Sequence, residues 1–247
     1  MQKRIIAALL VTTLVPSIWA TNITAIMGSG IQPDNWTDTV SGNLQLALRA
    51  KNRGDVIPAY VVPVPVGSTY TFGSGTDGAR GPFNYEFSIN SNYTGAGSNM
   101  LSFYDYFLAV DRDPSAGISY SIVAPLFHWG DNSYGLFGTG QGAGLEPGSL
   151  ADYLGFPNLY SIVQNSQNIT FGDYPGGALA EVANATYNYE LFAVEKGQSY
   201  TSNRLASVGI TVVVGTGGSS VPETGSTVAL LGVAFFGLAA LRRRFVR

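Results

Sequence analysis

Apolar and polar residues alternate along much of the chain with a period of two, which is typical of β-strands that have one buried face. In residues 43–49 three leucines fall on one face, and in residues 83–89 two phenylalanines, a tyrosine and an isoleucine do the same. Further strands are predicted at residues 68–72, 100–110, 118–126, 185–195 and 206–214. No long window outside the two termini has helical periodicity. The pattern therefore predicts an all-β fold, a single β-sandwich of the jelly-roll or Greek-key-like kind, over residues 21–214.

The stretches between these strands are less regular. Residues 56–66 are apolar but contain three prolines, which predicts an edge strand or an extended loop. Residues 127–167 are the least regular part. Within them, Ser149 followed by Asp152 predicts a one-turn helix with a capping box. Residues 156–168 are interpreted as a loop or an edge strand.

The first twenty residues have the organisation of a secretory signal peptide. Lys3 and Arg4 precede an apolar run over residues 5–15, which ends at the helix-breaking Pro16. This order predicts export through a translocon, with cleavage after Ala20 or a few residues later near Ala25. Residues 1–20 are therefore left out of the fold prediction.

The last part of the chain, residues 221–247, has three segments in a fixed order. The first is a turn-forming motif made of Val221, Pro222, Glu223, Thr224 and Gly225. An uncharged apolar run over residues 227–241 follows, and then Arg242, Arg243 and Arg244. As a helix this run would span about 22 Å, short of the ~30 Å hydrocarbon core. We expect it to enter the inner membrane, with the arginines held in the cytoplasm. Residues 215–220, rich in Gly and Ser, are expected to be a flexible linker.

This tail resembles the C-terminal sorting signals of the PEP-CTERM class, and most closely their VPDSG variant. Glu223 and Thr224 stand where that variant has Asp and Ser. The resemblance implies recognition by an exosortase, a membrane-embedded processing enzyme. The same five residues also resemble the LPxTG box of sortase substrates, although such tails usually leave a longer gap before the apolar run. An ordinary membrane anchor without cleavage is the simplest alternative.

Composition and charge exclude some kinds of site and partner for the segment between the two predicted signals. The chain has no Cys and a net charge of −3. Without the predicted signals, the passenger (residues 21–214) and linker carry about −8. The absence of Cys excludes disulfides and metal–thiolate sites. Because the passenger is acidic and sparsely charged, we expect no nucleic-acid partner.

Candidate catalytic groups are few, and we predict that the protein is not an enzyme. His128 is the sole histidine, and the chain has no Gly-x-Ser-x-Gly motif, so a catalytic triad has little support. Four acids in predicted strands are candidates for a glycosidase pair, although we expect them to line a solvated face. They are Glu86, Asp105, Glu190 and Glu195.

The best candidate for a bound cofactor is calcium. Asp111 and Asp113 lie in one predicted turn, and Asp131 and Asn132 in another. Oxygen ligands on turns suit a hard cation. The alternative is that these residues simply favour turns. No other cofactor is predicted.

These observations favour an exported, non-enzymatic protein of the cell envelope or extracellular matrix, associated with a biofilm or an exopolysaccharide. One alternative is a carbohydrate-binding or adhesive module that uses exposed Trp36, Trp129 and tyrosines as its platform. A secreted hydrolase and a sortase-anchored wall protein are further alternatives.

Overall fold

The computed structural model describes residues 20–26, 31–53, 62–76, 80–180 and 183–219. The predicted signal peptide, apart from Ala20, and the whole predicted sorting signal lie outside these residues. The described part is mostly β-structure, arranged in two five-stranded sheets. Its strands are β1 (Thr37–Ser41), β2 (Leu44–Asn52), β3 (Thr69–Phe72), β4 (Phe83–Asn90), β5 (Tyr104–Asp111), β6 (Tyr120–Val123), β7 (Ser133–Gly135), β8 (Ile162–Asn168), β9 (Ala185–Glu195) and β10 (Ala206–Val214). A single α-helix, α1 (Leu150–Gly155), and 3-10 turns at Leu101–Phe103, Pro125–Phe127 and Phe156–Asn158 complete this part.

The first sheet has the order β1-β2-β4-β8-β7 and the second the order β3-β10-β9-β5-β6. Neighbouring strands are antiparallel except β10 and β3, which run parallel. The long strand β9 lies at the centre of the second sheet, where it pairs with β10 on one side and β5 on the other.

The two sheets share one hydrophobic core. Alternate residues of β2 and β4 point into it, so the leucines of β2 and the aromatic residues of β4 are fully buried. The rings of Tyr85 in the first sheet and Tyr189 in the second stack with centroids 4.6 Å apart. The rings of Phe83 and Tyr187 also meet across the sheets, in a tilted arrangement with centroids 6.0 Å apart. This packing uses the period-two alternation that the sequence displays.

The opposite face of the first sheet is buried as well. Ile23, Ala25, Ile31 and Trp36, from the segment that precedes β1, pack on Ala47 of β2. Gln164 of β8 binds this segment through two hydrogen bonds. Its side chain accepts from the backbone N–H of residue 26 (3.1 Å) and donates to the carbonyl of residue 24 (2.8 Å). The segment before β1 thus forms a cover, which explains why β2 and β4 are buried on both faces.

Most of the predicted elements are confirmed. The strands at residues 83–89, 185–195 and 206–214 match β4, β9 and β10 closely. Helix α1 is also confirmed: the Ser149 hydroxyl accepts from the backbone N–H of Asp152 at 3.2 Å. Residues 62–66 of the proline-rich stretch form no strand, only a bridge between residues 66 and 69, and residues 56–61 lie outside the described part.

The largest error concerns residues 156–168, predicted to be a loop or an edge strand. Ile162–Asn168 is instead the interior strand β8, between β4 and β7. Its polar sequence is compatible with burial because its amide side chains are hydrogen-bonded; Asn168, for example, donates to the carbonyls of residues 81 and 83. Strand β5 starts only at Tyr104, after a 3-10 turn, and β1 was not predicted.

Candidate functional site

The chain leaves the passenger at a defined place. β10 ends at Val214, and the next residues remain hydrogen-bonded to the passenger: the N–H of Thr216 donates to Asn184 Oδ1 (2.9 Å) and the N–H of Gly218 to Thr186 Oγ1 (3.0 Å). The carbonyl of Ser219 accepts from Ala116 at 3.3 Å. The tail therefore departs beside the turn that joins β5 to β6.

Residues 220–245, which follow directly, match the family model of the VPDSG-CTERM motif. The chain carries a VPDSG-CTERM motif. This motif is the C-terminal sorting signal of PEP-CTERM-type proteins, so the resemblance drawn from Val221 to Gly225 is confirmed. A search of curated proteins found no match to the chain.

The VPDSG-CTERM motif indicates an exported surface protein that is processed by an exosortase-type enzyme. Its five-residue box, its apolar run over residues 227–241 and Arg242, Arg243 and Arg244 lie outside the described residues, so their roles remain predictions. Among the helices of the described ranges, none is long and apolar enough to cross a membrane.

Within the passenger, the most unusual site is a set of buried charges on the covered face of the first sheet. Glu86 Oε2 contacts Arg49 Nε at 2.5 Å, and its other oxygen contacts Lys51 Nζ at 2.8 Å. The side chains of Arg49 and Glu86 have no exposed surface, and that of Lys51 is 4% exposed. Arg49 lies directly opposite Glu86 in the β2–β4 register, so the pairing follows from strand alignment. Removing one partner of such a pair leaves a buried charge uncompensated.

Arg49 also binds the cover. Its guanidinium stacks over the Trp36 ring at 4.6 Å and donates to the carbonyl of Asp34 at 2.7 Å. Next to it, the Tyr70 hydroxyl donates to the carbonyl of Asn35 at 2.7 Å. These contacts hold the segment before β1 against the sheet. The buried charges thus act as a structural clamp between cover and sheet.

The candidate carboxylates do not share one solvated face. The expectation for Glu86 was wrong, because it is fully buried in the first sheet. The others lie in the second sheet, where Asp105 pairs with Lys196 at 2.7 Å and Glu190 pairs with Arg204. Glu86 is therefore on a different sheet from its three proposed partners, and its charge is already neutralised.

Among the residues that the structure describes, no carboxylate is hydrogen-bonded to His128. Its Nε2 lies 3.0 Å from the carbonyl oxygen of Asp173, and its ring meets Trp129 edge-on at 4.6 Å. The prediction that the protein is not an enzyme has not been tested by these contacts, and it stays a prediction.

The tryptophans cannot form an exposed platform. Trp36 has no exposed surface and Trp129 is 1% exposed. Trp36 belongs to the cover, and Trp129 packs against Phe87 inside the core at 5.7 Å. The carbohydrate-binding alternative therefore loses its two tryptophans, and only exposed tyrosines such as Tyr93 and Tyr200 remain for it. The burial of the tryptophans could not be deduced from sequence because it depends on segments distant along the chain.

The proposed calcium ligands lie at two separate places. Asp111 is paired with Tyr120 at one end of β6, whereas Asp131 and Asn132 follow the other end of β6. Asp111 Oδ1 accepts from the N–H groups of Asp113 (3.1 Å) and Ser119 (2.8 Å). Among the described residues, no group of three or more His, Cys, Asp or Glu side chains is placed to hold a metal ion.

Asp131 and Asn132 contact a different partner. Their side-chain oxygens both accept from Asn165 Nδ2, at 3.0 and 2.8 Å. Asp113 likewise uses one oxygen to accept from the N–H of Ser115 at 2.9 Å, and this bond lowers the pKa of its carboxyl. These bonds match the turn-forming alternative, and calcium binding remains an untested prediction.

The core between the sheets contains many tyrosines whose ionisation is suppressed. Burial raises the pKa of Tyr70 and of Tyr134 to about 12. It raises the pKa of Tyr85 and of Tyr189 well above the ordinary value. Burial also raises the pKa of Tyr174, whose hydroxyl donates to the carbonyl of Asp111 at 2.8 Å. This layer is neutral at physiological pH.

A recess of about 300 Å³ opens near the start of β5, at the end of this strand opposite the tail exit. Its walls are mainly apolar, and the Asp105–Lys196 ion pair lies at its side. The apolar lining includes Phe107, Leu126, Phe127, Leu154 and Pro157. Phe127 and Leu154 are 46% and 56% exposed, so the recess continues into an apolar surface.

Proposed function

We propose that this protein is a surface or extracellular-matrix component whose passenger is delivered by the VPDSG-CTERM motif and released by cleavage within Val221–Gly225. The observation that carries the proposal is the match over residues 220–245. The exit of the chain beside the β5–β6 turn supports it, since hydrogen bonds as far as Ser219 leave the motif as the next stretch of chain.

The passenger itself is proposed to be a non-catalytic β-sandwich, associated with a biofilm or exopolysaccharide. The shared core of the two sheets supports the sandwich. Burial and pairing of Glu86, and the contact of His128 with a backbone carbonyl, support a structural role for these groups rather than a catalytic one. An acidic, cysteine-free passenger is compatible with solubility outside the cell.

Intact-mass measurement of the mature protein from its host tests the proposal. We expect the measured mass to correspond to a chain that begins near Ala20 and ends between Val221 and Gly225. Pro222→Ala should reduce the processed form, because it removes the residue that shapes the motif. The matched control is Pro147→Ala, in a passenger loop, which should be processed normally. A mature mass that retains Arg247 in the wild type would refute the proposal.

The recess supports a second candidate function, in which the passenger binds polysaccharide directly. It combines aromatic walls with polar side chains, and it lies at the opposite end of β5 from the tail, so a tethered passenger would present it outward. Phe127→Ala should weaken co-sedimentation with the host polysaccharide at least several-fold, whereas Phe103→Ala, an exposed aromatic outside the lining, should not. Equal binding by wild type and Phe127→Ala would exclude this use of the recess.

A further inference from the structure

Strand β6 forms an open edge of the second sheet. It pairs with β5 on one side only. The N–H of Arg112 donates to the carbonyl of Ser119 at 2.9 Å. This bond fixes which residues of β6 bond to β5 and which do not. In an antiparallel pair, successive residues alternate between bonding to the partner and pointing away. Ser121 therefore bonds to β5, and the N–H and C=O groups of Tyr120 and Ile122 point outward; no backbone partner meets them within the described residues.

The side chains along this edge are apolar and exposed. Tyr120 is 41% and Ile122 38% exposed, and these alternate residues of β6 lie on one face; Ile118, just before the strand, is 58% exposed. Residues 116–124 contain no charged residue and no proline. Charges and prolines are the usual means of preventing an edge from pairing with another strand. Strand β6 has neither.

The other edge strands differ from β6. β7 is covered by the bridge between Tyr134 and Leu145. β1 carries the charged Asp38, which accepts from Thr21 and Gln45. β3 begins at Thr69, which exchanges two backbone hydrogen bonds with Val66. Within the part of the chain that the structure describes, β6 is thus the edge best suited to accept a further strand.

We propose that β6 pairs in antiparallel orientation with β6 of a second copy of this chain. The open groups of Tyr120 and Ile122 are placed symmetrically about Ser121, so the edge is complementary to itself. A two-fold axis at Ser121 puts Tyr120 of one copy opposite Ile122 of the other. Four backbone hydrogen bonds and two Tyr–Ile cross-strand contacts result. The two second sheets become one continuous sheet, an isologous dimer.

The uncharged edge explains why a second copy fits here, although the passenger is acidic overall. Two acidic copies repel each other over most of their surfaces. This repulsion is smallest where the contacting residues carry no charge. The pairing reverses the direction of one β6, so the two tail exits point to opposite ends of the dimer. This orientation suits copies released from the membrane or held on facing surfaces, a consequence that rests on the proposed function; the pairing itself does not.

Disulfide trapping tests the pairing, and the chain is well suited to it because it has no Cys. Ser121 faces its own copy across the two-fold axis in a pair without mutual hydrogen bonds, for which the Cα atoms are about 4.5 Å apart and within disulfide range. Full-length Ser121→Cys, purified in detergent and oxidised, should form mostly covalent dimer. The control Ser98→Cys, in an exposed loop, should form at least about tenfold less.

A second variant separates specific pairing from random collision. Ile122→Lys puts a charge on the edge and, combined with Ser121→Cys, should slow dimer formation about tenfold. Equal trapping of Ser121→Cys and Ser98→Cys, with reduced forms that melt like the wild type, would overturn the proposal. If Ser121→Cys does not fold, sedimentation decides: a dimeric wild type and a monomeric Ile122→Lys support the pairing, and a monomeric wild type at high concentration refutes it. Neither readout depends on cleavage of the tail.

Discussion

The protein buries polar groups in two layers that differ in chemistry. Between the sheets they are tyrosine hydroxyls, which stay neutral because burial raises their pKa. On the covered face of the first sheet they include ions, and Glu86 is held between Arg49 and Lys51. A neutral layer tolerates an incomplete set of hydrogen bonds, whereas an ionic layer depends on every partner being present. The two layers should therefore fail under different perturbations.

High pH should affect the tyrosine layer first, and this is the largest expected effect. The pKa of Tyr70 and of Tyr134 is about 12 in the folded protein and about 10 when unfolded. A raised folded-state pKa favours the folded state at low pH, and this contribution is lost as the pH rises from about 10 to about 12. Thermal melting with an ultraviolet titration should show cooperative unfolding together with tyrosine ionisation. Ionisation of the full set of tyrosines near pH 10 in a protein that stays folded would contradict the raised pKa of the buried ones.

Removal of Glu86 should break the ionic layer. Glu86→Ala leaves Arg49 and Lys51 buried without their shared carboxylate, which costs about 3–5 kcal/mol. Urea unfolding measures this loss. Protease cleavage before β1 should increase at the same time, because Arg49 also binds Trp36 and Asp34. A loss below ~1 kcal/mol would show that the site is not a clamp.

Two tyrosine substitutions compare a bonded hydroxyl with an unbonded one. Tyr174→Phe removes the hydrogen bond to the carbonyl of Asp111 and should cost about 1–2 kcal/mol. Tyr85→Phe removes a buried hydroxyl that has no hydrogen-bond partner in the described part of the chain, so stability should stay equal or rise. The difference between their urea midpoints is the measurement. A larger cost for Tyr85→Phe would indicate an ordered partner for that hydroxyl.

The smallest effect is expected for Glu190→Ala, which is the matched control for Glu86→Ala. Glu190→Ala breaks the ion pair with Arg204 on the second sheet, where both side chains reach solvent. Exposed pairs contribute about 0–1 kcal/mol. Arg204 also keeps its position over the Phe192 ring, at 4.2 Å. If Glu190→Ala costs as much as Glu86→Ala in urea, burial is not the cause of the difference between the layers.

The amino-acid sequence alone determined those features whose signal is local. The order of motif, apolar run and arginines identifies the sorting tail without any structure, and the family match confirms it. Strands β4, β9 and β10 were found because alternation within one strand reports one buried face. The capping box before α1 is equally local, since Ser149 and Asp152 are three residues apart.

Only the tertiary structure decided which polar residues are buried. Glu86 has the sequence pattern of a solvated strand residue, and it is buried because a segment from before β1 lies across the sheet. Polar β8 lies inside its sheet because its amides find partners on strands far away in the chain. A period of two shows that the two faces of a strand differ. Whether the polar face meets water depends on long-range packing that no local pattern encodes.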